Sequence, residues 1–131
     1  MDIGSGDGRV LIAAMQQYPQ LQRAIGVEID SALVALSQRR VAAQGLSQCV
    51  HIVHQDWMQL DMRHVDVVIL FFLPHPDLAQ LLQSKLKVGT RVVTYVFRIP
   101  QWAPIQQTTT APFMTTKGSS PIFVYRVPPT A

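Results

Sequence analysis

The chain has 131 residues, 48% of them apolar and 15% charged, with a net charge of +3. That length favours one domain over residues 1–131 with its own core, and the lack of a run of about eighteen apolar residues excludes an ordinary transmembrane helix. A lone cysteine, Cys49, excludes an internal disulfide framework or a cysteine zinc site; with no basic-then-apolar leader in view, the expected compartment is the reducing cytoplasm.

In chain order, Met1–Ile3 reads as the end of a strand and Gly4–Gly8 as a glycine-rich turn. Arg9–Tyr18 predicts a helix with Val10, Leu11, Ala14, Met15 and Tyr18 on one side, stopped by Pro19. Arg23–Ile29 is a short apolar strand that ends in acids. Asp30 or Ser31 caps a helix running to about Gln44, with Gly45 as the residue just past its end. Cys49–His54 and Val65–Phe72 are the third and fourth strands, the latter apolar enough for a buried parallel strand. Pro76 suits the first position of a helix carrying the stripe Leu78, Leu81, Leu82, and Thr90–Phe97 is the fifth strand. Pro100 and Pro104 discourage a long helix. Met114–Lys117 and Ile122–Val127 are expected to pair as an antiparallel hairpin around the turn Gly118–Ser119–Ser120–Pro121. This alternation gives an α/β fold, a mostly parallel sheet ending in an antiparallel hairpin, with helices packed on it. A central parallel strand usually has about five or six residues, so Met1–Ile3 reads as the remainder of a first strand that is largely missing, and the chain as N-terminally truncated.

Chemistry concentrates at three places. The first is Asp2-Ile3-Gly4-Ser5-Gly6-Asp7-Gly8-Arg9. Alternate glycines permit positive φ and let a ligand approach the main chain, and the helix that follows aims its first N–H groups at the turn. Such a turn holds a phosphate or a carboxylate. The spacing Gly-x-Gly-x-Gly differs from the G-x-G-x-x-G of dinucleotide folds, Asp7 inside the turn would repel a pyrophosphate, and Asp2 closes the strand. Acids so placed suit a ligand with a cationic ammonium and sulfonium. The second place is Gly26-Val27-Glu28-Ile29-Asp30, where Glu28 stands twenty residues beyond Gly8. A carboxylate there can accept both hydroxyls of a ribose; Asp30 reads instead as a helix N-terminal acid. The third is Gln55-Asp56-Trp57, past the third strand. Asp56 can accept the exocyclic amine of adenine and Trp57 can stack nearby; a polar loop with a partly buried Trp is the alternative. The four histidines, His51, His54, His64 and His75, do not form a metal set, since His51 and His54 fall on opposite faces of a strand. The pair Arg39–Arg40 reads as a solvated helix face rather than a nucleic-acid patch.

Asp2–Arg9, Gly26–Asp30, Gln55–Trp57 and Asp66–Pro74 together resemble the successive motifs of class I S-adenosylmethionine-dependent methyltransferases. Asp7-Gly8-Arg9, the run Asp66–Pro74 and Phe97-Arg98-Ile99-Pro100-Gln101-Trp102 are similar, more narrowly, to the small protein-lysine methyltransferases. That group includes the mitochondrial enzymes acting on the ATP synthase c subunit and the adenine nucleotide translocase, with prokaryotic relatives. The resemblance implies a Rossmann-like three-layer sandwich, S-adenosyl-L-methionine as cofactor, and N-methylation of an accessible lysine in a protein partner. No nucleic-acid partner is expected, and the apolar runs of this chain are too short for a membrane segment. It assigns the glycine turn, with Gly4, Ser5 and Gly6, to the methionine end, Glu28 to the ribose and Asp56 to the adenine, with Asp2, Ile29 and Trp57 also cofactor-binding. A substrate channel would be walled by Phe71, Phe72, Leu73 and Pro74, with Trp102 at its outer rim; the alternative for Phe71 and Phe72 is core, one on each face of the sheet. No general base is assigned, because a lysine whose proton has already gone to water needs none. A methyltransferase for a small molecule or nucleic acid, and a cofactor-binding module or inactive fragment without catalysis, are the other readings.

Overall fold

The computed structural model describes residues 1–71, 75–112 and 116–130. Two compact units make up the chain, Met1–Leu60 and Asp61–Ala131.

In the first unit, β1 (Asp2–Ile3), α1 (Arg9–Gln17), β2 (Ala24–Glu28), α2 (Ser31–Ala43) and β3 (Val50–His54) alternate, and a 3₁₀ turn follows at Trp57–Gln59. β2 pairs in parallel with β1 on one side, Asp2 opposite Gly26, and with β3 on the other, Glu28 opposite His54. Leu11 and Met15 of α1 pack against Ala24, Val41 and Val50 to form a core. Gly26 is the point of tightest approach. A Cβ there would lie 2.7 Å from Ser5 Oγ, 2.8 Å from Leu11 Cδ1 and 2.9 Å from Ile52 Cδ1. Asp30 caps α2, its carboxylate accepting from Ala32 N at 2.9 Å and Leu33 N at 3.2 Å. Gly45, with φ of +69°, ends the helix, and Leu46 N donates back to Val41 O at 3.0 Å. The expected apolar side of α1 narrows, because Val10 is 40% and Tyr18 53% exposed. Val10 sits about 100° around the helix from Leu11. Tyr18 has already left helical geometry, with φ −127° and ψ 79°.

The second unit holds β4 (Val67–Phe71), α3 (Leu78–Lys85), β5 (Arg91–Tyr95), β6 (Gln106–Thr110) and β7 (Ser120–Arg126). β4 and β5 are parallel; β7 lies antiparallel between β5 and β6. Val68, Leu70, Leu82, Val92 and Tyr125 are fully buried. The hairpin exists with Gln106–Thr110 as its first arm; of the expected arm Met114–Lys117, residues 116 and 117 are not in a strand, and 114 and 115 lie outside the described residues. All five residues of that arm are exposed, so no apolar alternation marks it; three β-branched threonines suit an edge strand. Helix α3 starts two residues later than Pro76 suggests. His75 makes a turn first, with its Nδ1 accepting from Asp77 N and its carbonyl from Leu78 N, both at 3.0 Å. Phe71 is not a core residue: it is 37% exposed and stacks on Tyr95 with ring centroids 4.8 Å apart. Among the described residues no helix is long and apolar enough to cross a membrane.

Candidate functional site

The first unit gathers its polar chemistry where β1 and β2 end. As the chain leaves β1, Gly4 N and Ser5 N both donate to Val27 O, at 2.8 and 3.1 Å, which folds the turn over the end of β2. Gly4 and Gly6 have φ of +73° and +56°, and a Cβ at either would meet nothing within 4 Å. The turn therefore needs glycine for its conformation and presents bare peptide to open space. Beneath it, Asp2 is 3% and Ser5 6% exposed. Asp2 Oδ1 and Ser5 Oγ are buried without a hydrogen-bond partner among the described residues. Burial pushes the Asp2 carboxyl up to about 6, the N-terminal ammonium opposing and the Glu28 charge adding to it. Orphaned polar atoms of this kind are rare inside proteins.

Glu28 lies against the same turn, nearly buried. One carboxylate oxygen accepts from Gly6 N at 2.8 Å; the other accepts from Ile29 N and Asp30 N, each at 3.0 Å. Strand β2 thus reaches across to hold the second glycine. Ile29 projects beyond the strand, 69% exposed, and its carbonyl meets His54 Nε2 at 3.0 Å. Asp56 is exposed, with Oδ1 capping the 3₁₀ turn through Met58 N at 3.0 Å. Trp57 is only 7% exposed, at the start of that 3₁₀ turn. Asp30 is committed to the α2 cap.

Asp7 has a different role from the one its position suggests. It forms ion pairs with Arg9 at 2.7 Å and Arg40 at 3.1 Å, and these hold its carboxyl down at about 2, the hydrogen bonds from Arg9 contributing most. Its charge is answered by two guanidinium groups. Of the residues expected at a substrate channel, Phe72, Leu73 and Pro74 lie outside the described residues. Trp102 is 9% exposed and meets Tyr125 edge-on at 6.0 Å within the second unit. Two features escaped the sequence. The fit of Gly26 against Ser5 depends on register between strands, and Arg40 reaches Asp7 from thirty-three residues away; neither leaves a local signal.

Known proteins with related sequences and structures bear on this geometry. The Protein-lysine N-methyltransferase of Saccharolobus islandicus (strain REY15A) is 32% identical over 105 residues, 79% of this chain and 65% of the relative. The Adenine nucleotide translocase lysine N-methyltransferase of Mus musculus is 36% identical over 109 residues, 80% of this chain and 46% of the relative. The chain thus spans less than two thirds of the archaeal relative's length and less than half of the mouse relative's. Among solved structures, an RNA methyltransferase from Salinibacter ruber in complex with S-adenosyl-L-homocysteine superposes with a TM-score of 0.82 at 28% identity, covering 99% of this chain and 80% of that one. The fold is the Rossmann-like α/β fold of such methyltransferases. The family profile described as the ANTKMT methyltransferase domain matches residues 2–106, and the chain belongs to that family.

Proposed function

We propose that this chain is the cofactor-binding core of an S-adenosylmethionine-dependent methyltransferase that N-methylates lysine in a protein. The observation that carries the reading is the buried Asp2 Oδ1, without a partner among the described residues, beneath an open glycine turn. A cationic ligand would supply the missing partner, and an anionic one would meet two carboxylates, Asp2 and Glu28. The residues therefore fit an amino-acid-bearing sulfonium better than a dinucleotide.

Each residue then has a task. Asp2 Oδ1 and Ser5 Oγ receive the ammonium end. The bare peptides at Gly4 and Gly6 let a carboxylate come close to backbone N–H groups, helped by the positive end of α1. Glu28 already accepts three amides; a carboxylate has roughly four acceptor positions, so it is placed to take one ribose hydroxyl rather than both. Ile29, exposed beyond β2, supplies an apolar surface beside that ribose. Asp56 uses Oδ1 as a cap and keeps Oδ2 for an exocyclic amine, with Trp57 as packing beneath. When bound, the cofactor supplies an electrophilic methyl group on sulfur. The acceptor nitrogen must be neutral and in line with the breaking bond, about 3–3.5 Å from the carbon. A positive sulfonium and a dry channel both lower a lysine's pKa, so no protein base is assigned.

The relatives named as lysine methyltransferases support a protein acceptor. The Salinibacter ruber structure, that of an RNA methyltransferase, supports RNA as a second reading. Transfer of tritiated methyl groups from S-adenosylmethionine into a cell lysate separates them. Label released by protease supports the protein reading; label released only by nuclease overturns it in favour of RNA; no label with intact cofactor binding leaves a binding module.

A further inference from the structure

The glycine turn is held from outside as well as from beneath. Asp7 stands between Gly6 and Gly8, and its side chain is only 14% exposed. Arg9, the first residue of α1, closes on it as a fork. Its Nη2 donates to Oδ2 at 2.7 Å, and its Nε lies 3.0 Å from Oδ1 and 3.1 Å from Oδ2. The Arg9 backbone N–H adds a bond to Oδ1 at 3.2 Å. Arg40, in the last turn of α2, contributes Nη1 to Oδ2 at 3.1 Å. Both helices of the first unit therefore converge on one residue of the turn, next to the Gly6 amide that Glu28 holds.

We propose that Asp7 is a positioning residue for the cofactor-binding turn, latched to α1 by Arg9 and to α2 by Arg40. The proposal rests on the methyltransferase reading for what the turn binds. Three left-handed glycines make this segment intrinsically costly to order, so its geometry needs outside restraint. Exposed ion pairs add little to global stability. A forked arginine–carboxylate pair, in contrast, fixes orientation well, and orientation is what a turn binding through its main chain requires. The two arginines are not equivalent. Arg9 uses Nε and Nη2 together, a pattern that only a guanidinium offers. Arg40 uses a single nitrogen, which a lysine ammonium can replace.

This asymmetry gives the test. S-adenosylhomocysteine affinity is measured by calorimetry on the full chain, together with amide hydrogen exchange at Gly6 by NMR and the melting temperature. Asp7→Asn is expected to weaken binding roughly five- to tenfold and to speed Gly6 exchange, while the melting temperature moves by only about 2 °C. Arg40→Lys keeps the wild-type affinity, whereas Arg40→Gln and Arg9→Lys lose part of it. The double variant Asp7→Asn/Arg40→Gln binds no more weakly than Asp7→Asn alone. Unchanged Gly6 exchange in Asp7→Asn overturns the latch, as does equal loss in Arg40→Lys and Arg40→Gln. If the wild-type chain binds no S-adenosylhomocysteine, the methyltransferase reading falls instead, and Gly6 exchange still decides the latch.

Discussion

Replacing Glu28 by glutamine keeps the shape of the side chain and removes its charge. In the native protein both oxygens accept, one from Gly6 N at 2.8 Å and the other from Ile29 N and Asp30 N at 3.0 Å. A glutamine has one carbonyl oxygen. It can face Gly6 or the Ile29–Asp30 pair, and its NH₂ group then opposes an N–H on the other side. At least one of these bonds is lost, whichever side the oxygen faces. A hydrogen bond to a charged group contributes about 1.5–3 kcal/mol, so a loss of about 2 kcal/mol is expected. An unfolding entropy of about 2.1 cal/mol/K per residue over 131 residues converts this to a fall of about 7 °C in melting temperature. Thermal melts by circular dichroism at neutral pH read the effect, and calorimetry with S-adenosylhomocysteine should show affinity reduced by about tenfold or more. A variant that melts within about a degree of the wild type would refute the claim that Glu28 braces the turn. Wild-type affinity in a destabilised variant would remove Glu28 from the cofactor while leaving the brace.

Gly26→Ala should destabilise by about 1–3 kcal/mol, because its Cβ would enter three contacts under 3.0 Å; a denaturant midpoint equal to the wild type's would mean that Ser5 and Leu11 yield freely. Gly6→Val should lose measurable S-adenosylhomocysteine binding, since its side chain would fill the open space above the turn, at a folding cost of about 1–2 kcal/mol for left-handed φ. Full affinity in a folded Gly6→Val variant would put the ligand elsewhere. For Asp2 the sign runs against most carboxylates. The folded pKa of about 6 lies above the ordinary 3.8, so the native state holds the proton longer, and stability from this group falls as pH rises through that window and is level above it. A ligand ammonium needs the ionised form. Affinity should therefore drop as pH falls below about 6, by at most about tenfold per unit, and Asp2→Asn should flatten the profile. A flat wild-type profile between about pH 5 and 7 would contradict the pairing.

Much of the first unit was legible because its signals are local. The Asp30 cap, Gly45 at the end of α2 and the glycine turn each depend on residues within a few positions of one another, and each stands where the residues indicate. Glu28 was found by its place after an apolar strand, but its three amide partners were not visible, because they depend on how the turn folds back over β2. For a related reason the sequence shows the charge of Asp7 but not its Arg40 partner, which only the packing of α2 brings near. The Gln106–Thr110 arm was missed because an exposed edge strand carries no hydrophobic period to read. Trp102 shows the converse. Pro100 and Pro104 beside it discourage a long helix but say nothing of where the ring packs, and it lies on Tyr125 through contacts that no local pattern records.

The central claim is that bare main chain and two buried acids at the ends of β1 and β2 accept a cationic methyl donor and reject a pyrophosphate. Calorimetric titration of the chain with S-adenosylhomocysteine and, in parallel, with oxidised nicotinamide adenine dinucleotide tests it most directly. Saturable one-site binding of the first and no heat from the second is the predicted result; binding of the dinucleotide alone, or equal binding of both, would contradict it.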